Sequence, residues 1–142
     1  MITLGRVNLS EVWPYILAKD EKGHCRPIRF PFQQWNINTD SLRLRCFAEN
    51  QSCVCCGITG NIFLVQQHLP TDNPHINLYY ENGEELILIT KDHKIPKSKG
   101  GREIGSNMQT MCSICNGLKA NSSISLEDLR IKRNSLKLKG AA

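Results

Sequence analysis

The residues best equipped for chemistry crowd into positions 90–119. Asp92 and His93 adjoin at the end of an apolar run, Glu-Leu-Ile-Leu-Ile-Thr over residues 85–90. A histidine ionises near neutrality and can serve as a general base. An aspartate offers the hard oxygen that Mg²⁺ prefers. Asn116 follows directly on Cys112-Ser-Ile-Cys115 and adds a second candidate oxygen ligand. Lys119 lies about one helical turn further on, where an ammonium could meet a phosphate. Taken singly, the aspartate could be a turn former and the asparagine a helix cap. Their order along this short segment is what points to a site.

Cysteine usage supplies the next observation. The chain holds seven cysteines, an odd number with no export-signal pattern at Met1-Ile2-Thr3-Leu4-Gly5-Arg6. That argues against a disulfide framework. Cys53/Cys56 and Cys112/Cys115 form two C-x-x-C pairs, which in a reducing compartment read first as a structural zinc site. With 55 residues between Cys56 and Cys112, the spacing exceeds that of a simple zinc ribbon. Cys55 adjoins the first pair, and His24, His68 and His75 are rival ligands. Cys25 and Cys46 read as buried or idle thiols.

The elements that must position these groups are partly legible. Residues 53–57, Cys-Val-Cys-Cys-Gly, suit a tight knuckle, with Gly57 letting the backbone turn. A strand is expected over residues 61–67. Two prolines make residues 68–77 a loop. Residues 78–80 and 85–90 read as strands joined through Asn82-Gly83, a hairpin signal. The glycine- and lysine-rich stretch 94–106 reads as a loop, followed by a short strand over 107–111 and a helix over 115–120. Ser125 is the expected cap of a final helix, with Glu127 and Asp128 in its first turn and Lys132, Arg133 and Lys137 toward its end. Residues 1–47 are less readable. Ser10 is the expected cap of a short helix through Leu17, with Pro14 tolerated in its first turn. Residues 23–36 look irregular, with arginines set among Phe30, Phe32 and Trp35. Arginine beside aromatics suits nucleic acid, or simply an arm packed on the core.

At 142 residues the chain has the length of one ordinary globular domain. It contains no apolar run of membrane-spanning length, so a cytoplasmic protein with no membrane partner is expected. The formal charge of +5 is compatible with a polyanionic partner. Its placement says more. Lys91, Lys94, Lys97, Lys99 and Arg102 surround His93 in sequence, opposed by Asp92 and Glu103. Lys119, Arg130, Lys132, Arg133, Lys137 and Lys139 gather toward the other end. Lysines in a loop suit phosphate contact without base reading.

In order, Asp92-His93, Asn107 and Cys112-Ser-Ile-Cys115-Asn116-Gly-Leu-Lys119 resemble the motifs of the HNH endonuclease family, in its branch with C-x-x-C zinc knuckles. The last histidine of the family name is here Asn116. The resemblance covers roughly residues 53–122. It implies an α+β fold: a small ββα-metal core stapled by a four-cysteine zinc site, with an N-terminal extension and a C-terminal helix. The organisation expected is an arm over residues 1–47, packing on the core or contacting DNA. A nuclease domain follows over residues 48–142, and the two form one compact unit.

By the same resemblance, His93 is similar to the base that activates water. Asp92 and Asn116 look like ligands of a catalytic Mg²⁺ or Mn²⁺. Asn107 resembles the residue that braces the intervening loop and orients His93. Cys53, Cys56, Cys112 and Cys115 look like the structural zinc ligands. Lys94, Lys97, Lys99, Arg102 and Lys119 are the expected contacts to DNA phosphates. The function implied is hydrolysis of phosphodiester bonds, by nicking or double-strand cleavage of double-stranded DNA. The alternative is a zinc-stapled nucleic-acid-binding module without cleavage. A two-fold homodimer would place one site on each strand. The chain resembles a small stand-alone phage or bacterial enzyme of this family.

Overall fold

Five strands and two helices lead up to the last ββα unit of the chain. The first strand, β1 (Ile2–Val7), is followed by α1 (Leu9–Ile16), a small hairpin of β2 (Phe30–Phe32) and β3 (Trp35–Ile37), and α2 (Leu42–Glu49). The chain then enters β4 (Ile62–Gln67), β5 (His75–Asn82), β6 (Glu85–His93), β7 (Met108–Cys112), α3 (Ser113–Lys119) and α4 (Leu126–Gly140). The computed structural model describes the backbone of residues 1–140 and the side chains of residues 1–136, so Lys137 and Lys139 lie outside the described side chains. The mixed α+β class expected from the sequence is the one observed.

Five strands form one antiparallel sheet in the order β1-β4-β5-β6-β7. β4 runs between β1 and β5, and all six of its residues are buried. Its apolar stretch Ile62-Phe63-Leu64-Val65 is therefore a strand covered on both faces, which a run of consecutive apolar residues permits. Its polar end is satisfied internally. Gln66 accepts from Asn77 at 2.7 Å and from Tyr79 at 2.9 Å, and Gln67 donates to the Asp72 carbonyl at 2.8 Å. Phe63, Val65, Ile76 and Leu78 of the sheet join Val12, Ile16, Leu44, Phe47 and Leu129 of the helices in one apolar core.

β6 changes partner midway. Its residues 85–88 pair with β5, and its residues 89–93 pair with β7. The second half therefore passes from β5 to a hairpin with β7, the edge strand of the same sheet. α3 follows β7 without a break, so β6, β7 and α3 make a ββα unit.

Several boundaries differ from the sequence reading, each for a physical reason. β5 begins at His75, inside the stretch expected as a loop, because five residue pairs with β4 draw it into the sheet. β6 runs on through Lys91, Asp92 and His93, which β7 pairs in register. The first helix starts after Asn8 rather than after Ser10. Glu11 accepts from the Asn8 backbone N–H at 2.9 Å, and this reciprocal cap fixes the start. Pro14 consequently lies beyond the first turn. α2 was not anticipated. Its cap is Ser41, which accepts from the Leu44 N–H at 3.1 Å. The expected cap of the last helix is found: Ser125 accepts from the Asp128 N–H at 3.1 Å.

Candidate functional site

Asp92 and His93 close β6, opposite Gln109 and Met108 of β7. Neighbours on a strand point to opposite faces. Here both nonetheless border one cleft of about 220 Å³, together with Lys91, Lys97, Asn116 and Lys119. α3 is what closes the cleft, because it lays Asn116 and Lys119 beside the strand end. Lys119 is buried. Its Nζ donates to Asp92 Oδ2 at 2.9 Å and to the His93 carbonyl at 2.7 Å. Asp92, also buried, accepts at the same oxygen from Gln109 at 2.9 Å. One carboxylate oxygen thus takes two donors, and Oδ1 has no hydrogen-bond partner among the described residues.

The orientation of Asn116 follows from its neighbour. Thr90 Oγ1 donates its one proton to the Met111 carbonyl at 2.6 Å. That hydroxyl can then only accept from Asn116, which it does from Nδ2 at 2.8 Å. The amide oxygen of Asn116 has no partner among the described residues. Two side chains that line the same cleft, one carboxylate and one carboxamide, thus each keep an oxygen without a partner among the described residues. This donor set fits a hard divalent cation, with coordination positions to spare for water and phosphate.

Asn107 stitches the loop between β6 and β7. Its side-chain oxygen accepts from the Ile95 N–H at 2.9 Å, and its amide nitrogen donates to the carbonyls of Ile95 at 3.1 Å and Arg102 at 2.9 Å. Its backbone carbonyl accepts from the Lys94 N–H at 2.7 Å. Gly101 completes the loop by close approach. A Cβ at this position would fall 1.7 Å from the Ile95 carbonyl oxygen, so no other residue fits without moving the chain.

His93 Nε2 lies 2.8 Å from Glu103 Oε2. Glu103 also takes Lys91 at 2.6 Å and Lys97 at 2.8 Å. Hydrogen bonds from Lys91, Lys97 and His93 hold its carboxyl well below the usual carboxylate range. Sequence reasoning counted Glu103 only as an opposing charge. The signal that marks it out is a single acid on a loop otherwise rich in lysine and arginine. Thr90 and Gln109 were missed as well. Each acts by orienting a site residue, and nothing in their type or spacing announces that.

The basic residues divide into two groups. Lys94, Lys97, Lys99 and Arg102 are exposed on the loop, whereas Lys119 is sequestered against Asp92. At the other end, Arg130 donates to the carbonyls of Val54 at 2.9 Å and Cys55 at 3.1 Å. Arg133 is buried beside the cysteines, which favour its charged form against the cost of burial. Arg130 thus holds the first knuckle and Arg133 lies against sulfurs of both knuckles, so neither simply extends a phosphate track.

The sulfurs of Cys53, Cys56, Cys112 and Cys115 all lie within 4.8 Å of one another. Cys56 and Cys112 are 3.7 Å apart. A tetrahedral Zn²⁺ with four thiolates requires S···S spacings of about 3.8 Å, so the cluster fits that ion. Both knuckles aim backbone N–H groups at sulfur: Cys56 N to Cys53 at 3.5 Å, and Cys115 N to Cys112 at 3.4 Å. Gly57 adopts φ of 81° immediately after the first knuckle, as the turn there requires. Crowding against the Cys112 sulfur lowers the Cys53 thiol, while the same crowding and burial raise Cys112. Cys55, His24, His68 and His75 are not members of the four-sulfur group. His68 and His75 stack on each other at 5.4 Å, and His24 sits against Asp20. Cys46 is buried 3.5 Å from the Thr110 hydroxyl, and Cys25 is exposed.

Residues 80–122 match the family model described as HNH endonuclease, and the four-cysteine cluster fits the zinc-bearing branch of that family. The matched segment runs from the β5–β6 hairpin to just past the end of α3. No curated protein and no solved structure matches the chain. Among the described residues, no helix is long and apolar enough to cross a membrane.

Proposed function

We propose that the chain is a metal-dependent endonuclease that hydrolyses phosphodiester bonds in double-stranded DNA. The observation that carries this reading is the convergence of His93, Asp92 and Asn116 on one cleft. A pure binding module has no need of a base and two free oxygen ligands at one place.

In this reading His93 takes the proton of the attacking water. Asp92 Oδ1 and Asn116 Oδ1 would hold Mg²⁺ or Mn²⁺. Such a cation would supply Lewis-acid stabilisation of the charge that develops during phosphodiester cleavage. Lys119 and Gln109 hold Asp92 rigidly through its other oxygen, and Thr90 holds Asn116. Asn107 keeps the loop closed over the end of β6. Lys94, Lys97, Lys99 and Arg102 contact flanking phosphates, which sets affinity and salt dependence rather than sequence preference. The four cysteines would hold a structural zinc, since four thiolates leave it no open position for chemistry.

The test is incubation of supercoiled plasmid with protein and Mg²⁺ or Mn²⁺. Nicking that disappears in His93→Ala is the expected result. Nicking that survives in His93→Ala removes the base assignment. DNA binding without nicking under either metal would instead identify a zinc-stapled nucleic-acid-binding module.

A further inference from the structure

His93 is the last residue of β6, and its ring is held from outside the strand. The one described hydrogen bond to the imidazole comes from the loop, where Glu103 Oε2 lies 2.8 Å from Nε2. An ionised carboxylate can only accept. The neutral ring has one N–H, and this contact requires it on Nε2. The lone pair then resides on Nδ1, which has no hydrogen-bond partner among the described residues.

The carboxylate is itself held in place. Lys91 on β6 donates to Oε1 at 2.6 Å, and Lys97 contacts Oε2 at 2.8 Å. Asn107 ties the carbonyl of the preceding residue, Arg102, at 2.9 Å, and Gly101 donates to the Pro96 carbonyl at 3.0 Å. Glu103 is therefore presented to His93 from a braced loop rather than from a free one. The two lysines keep it ionised and offset the repulsion it would exert on an incoming phosphate.

We propose that Glu103 is a positioning residue for the hydrolysis, fixing His93 in the Nε2–H tautomer so that Nδ1 faces the reaction as the base. This rests on the endonuclease reading above. A histidine caught in the other tautomer has its proton where the water's proton must go. The partner of a reactive histidine commonly sets its tautomer in this way.

The test combines imidazole ¹⁵N spectroscopy of the zinc-loaded full chain, recorded across a pH series, with steady-state plasmid nicking. In the wild type, Nε2 of His93 should carry the proton. Glu103→Ala should give a mixture of tautomers and lower kcat about 10- to 100-fold with little change in KM. Glu103→Gln should recover most of both. Its amide oxygen satisfies two of the three donors when turned toward His93 and Lys97. A wild-type ring protonated at Nδ1 overturns the proposal without reference to any variant. So does a Glu103→Ala protein with unchanged tautomer and kcat. So does a rise in nicking for Glu103→Ala, which would make the carboxylate a stand-in for phosphate. Loss of the endonuclease reading is recognised separately, by His93→Ala that still nicks, and leaves the tautomer measurement intact.

Discussion

At the level of single residues, the division of labour within one cleft decides which substitutions should be silent in folding and which should not. His93 has a partly exposed ring and a single described partner, so His93→Ala should leave the melting temperature nearly unchanged. Nicking should fall by about 10²–10⁴-fold, the range for removing a general base. Comparing a thermal melt with a plasmid assay on the same preparation checks both halves. Lys119 is the opposite case. Its ammonium is buried against Asp92, and Lys119→Met would leave that carboxylate without its cation. Breaking a buried pair from one side costs about 3–5 kcal/mol. Denaturant unfolding of the zinc-loaded protein should register a loss of that size. The proposed roles of Asp92, His93, Asn107 and Asn116 are legible from residue type and order, because each proposed chemistry demands that type. Glu103, Thr90 and Gln109 could not, since the demand on them comes only from the geometry of a neighbour. Lys119 was legible as a cation beside the site, but its burial was not. Whether a lysine faces solvent or a carboxylate depends on packing that spacing along a helix does not encode.

Among the elements, the hairpin, the last strand and the final helix announce themselves through local chemistry: Asn82-Gly83, the Cys112 knuckle and the Ser125 cap. β5 is longer than its composition suggests, because pairing with β4 overrides two preceding prolines. β1 and α2 were not read at all. β1 has a glycine and an arginine along an exposed edge, and α2 spreads apolar and basic residues without a strong pattern. Only the partners across space make them regular. α4 has its own dependence on context. Leu129 is its fully buried anchor in the core, while Arg130 reaches the first knuckle and Arg133 lies beside the cysteine cluster. Leu129→Ala should cost about 2–5 kcal/mol, the range for emptying a core leucine site. Urea unfolding followed by circular dichroism measures it. If α4 were only a loosely attached tail, the midpoint would not move.

For the molecule as a whole, the four cysteines join a segment ahead of β4, outside the family match, to one inside it. Cys53 and Cys56 precede β4, whereas Cys112 and Cys115 link β7 to α3. Zinc binding at such a site is coupled to folding. Cys112→Ser should therefore lower the melting temperature and the zinc content together. A variant that kept both would remove the staple. The sulfurs must lose protons to bind the ion. Zinc affinity should accordingly rise with pH and fall on acidification, which competition with a chelator across a pH series would show. With one cleft per chain, open-circular plasmid should accumulate before linear product unless two copies act together.

The change of partner along β6 reaches beyond the site. Backbone amides of residues 85–88 are secured by β5, and those of residues 89–93 by β7, whose far end is a cysteine of the staple. Deuterium uptake should therefore divide this one strand in two. Stripping the metal should speed exchange over its second half while its first half keeps pace with the slow centre of the sheet. The carboxylate and imidazole at the tip would then loosen before the protein as a whole melts, so chelation should abolish the proposed nicking at temperatures where the overall secondary structure still registers as intact.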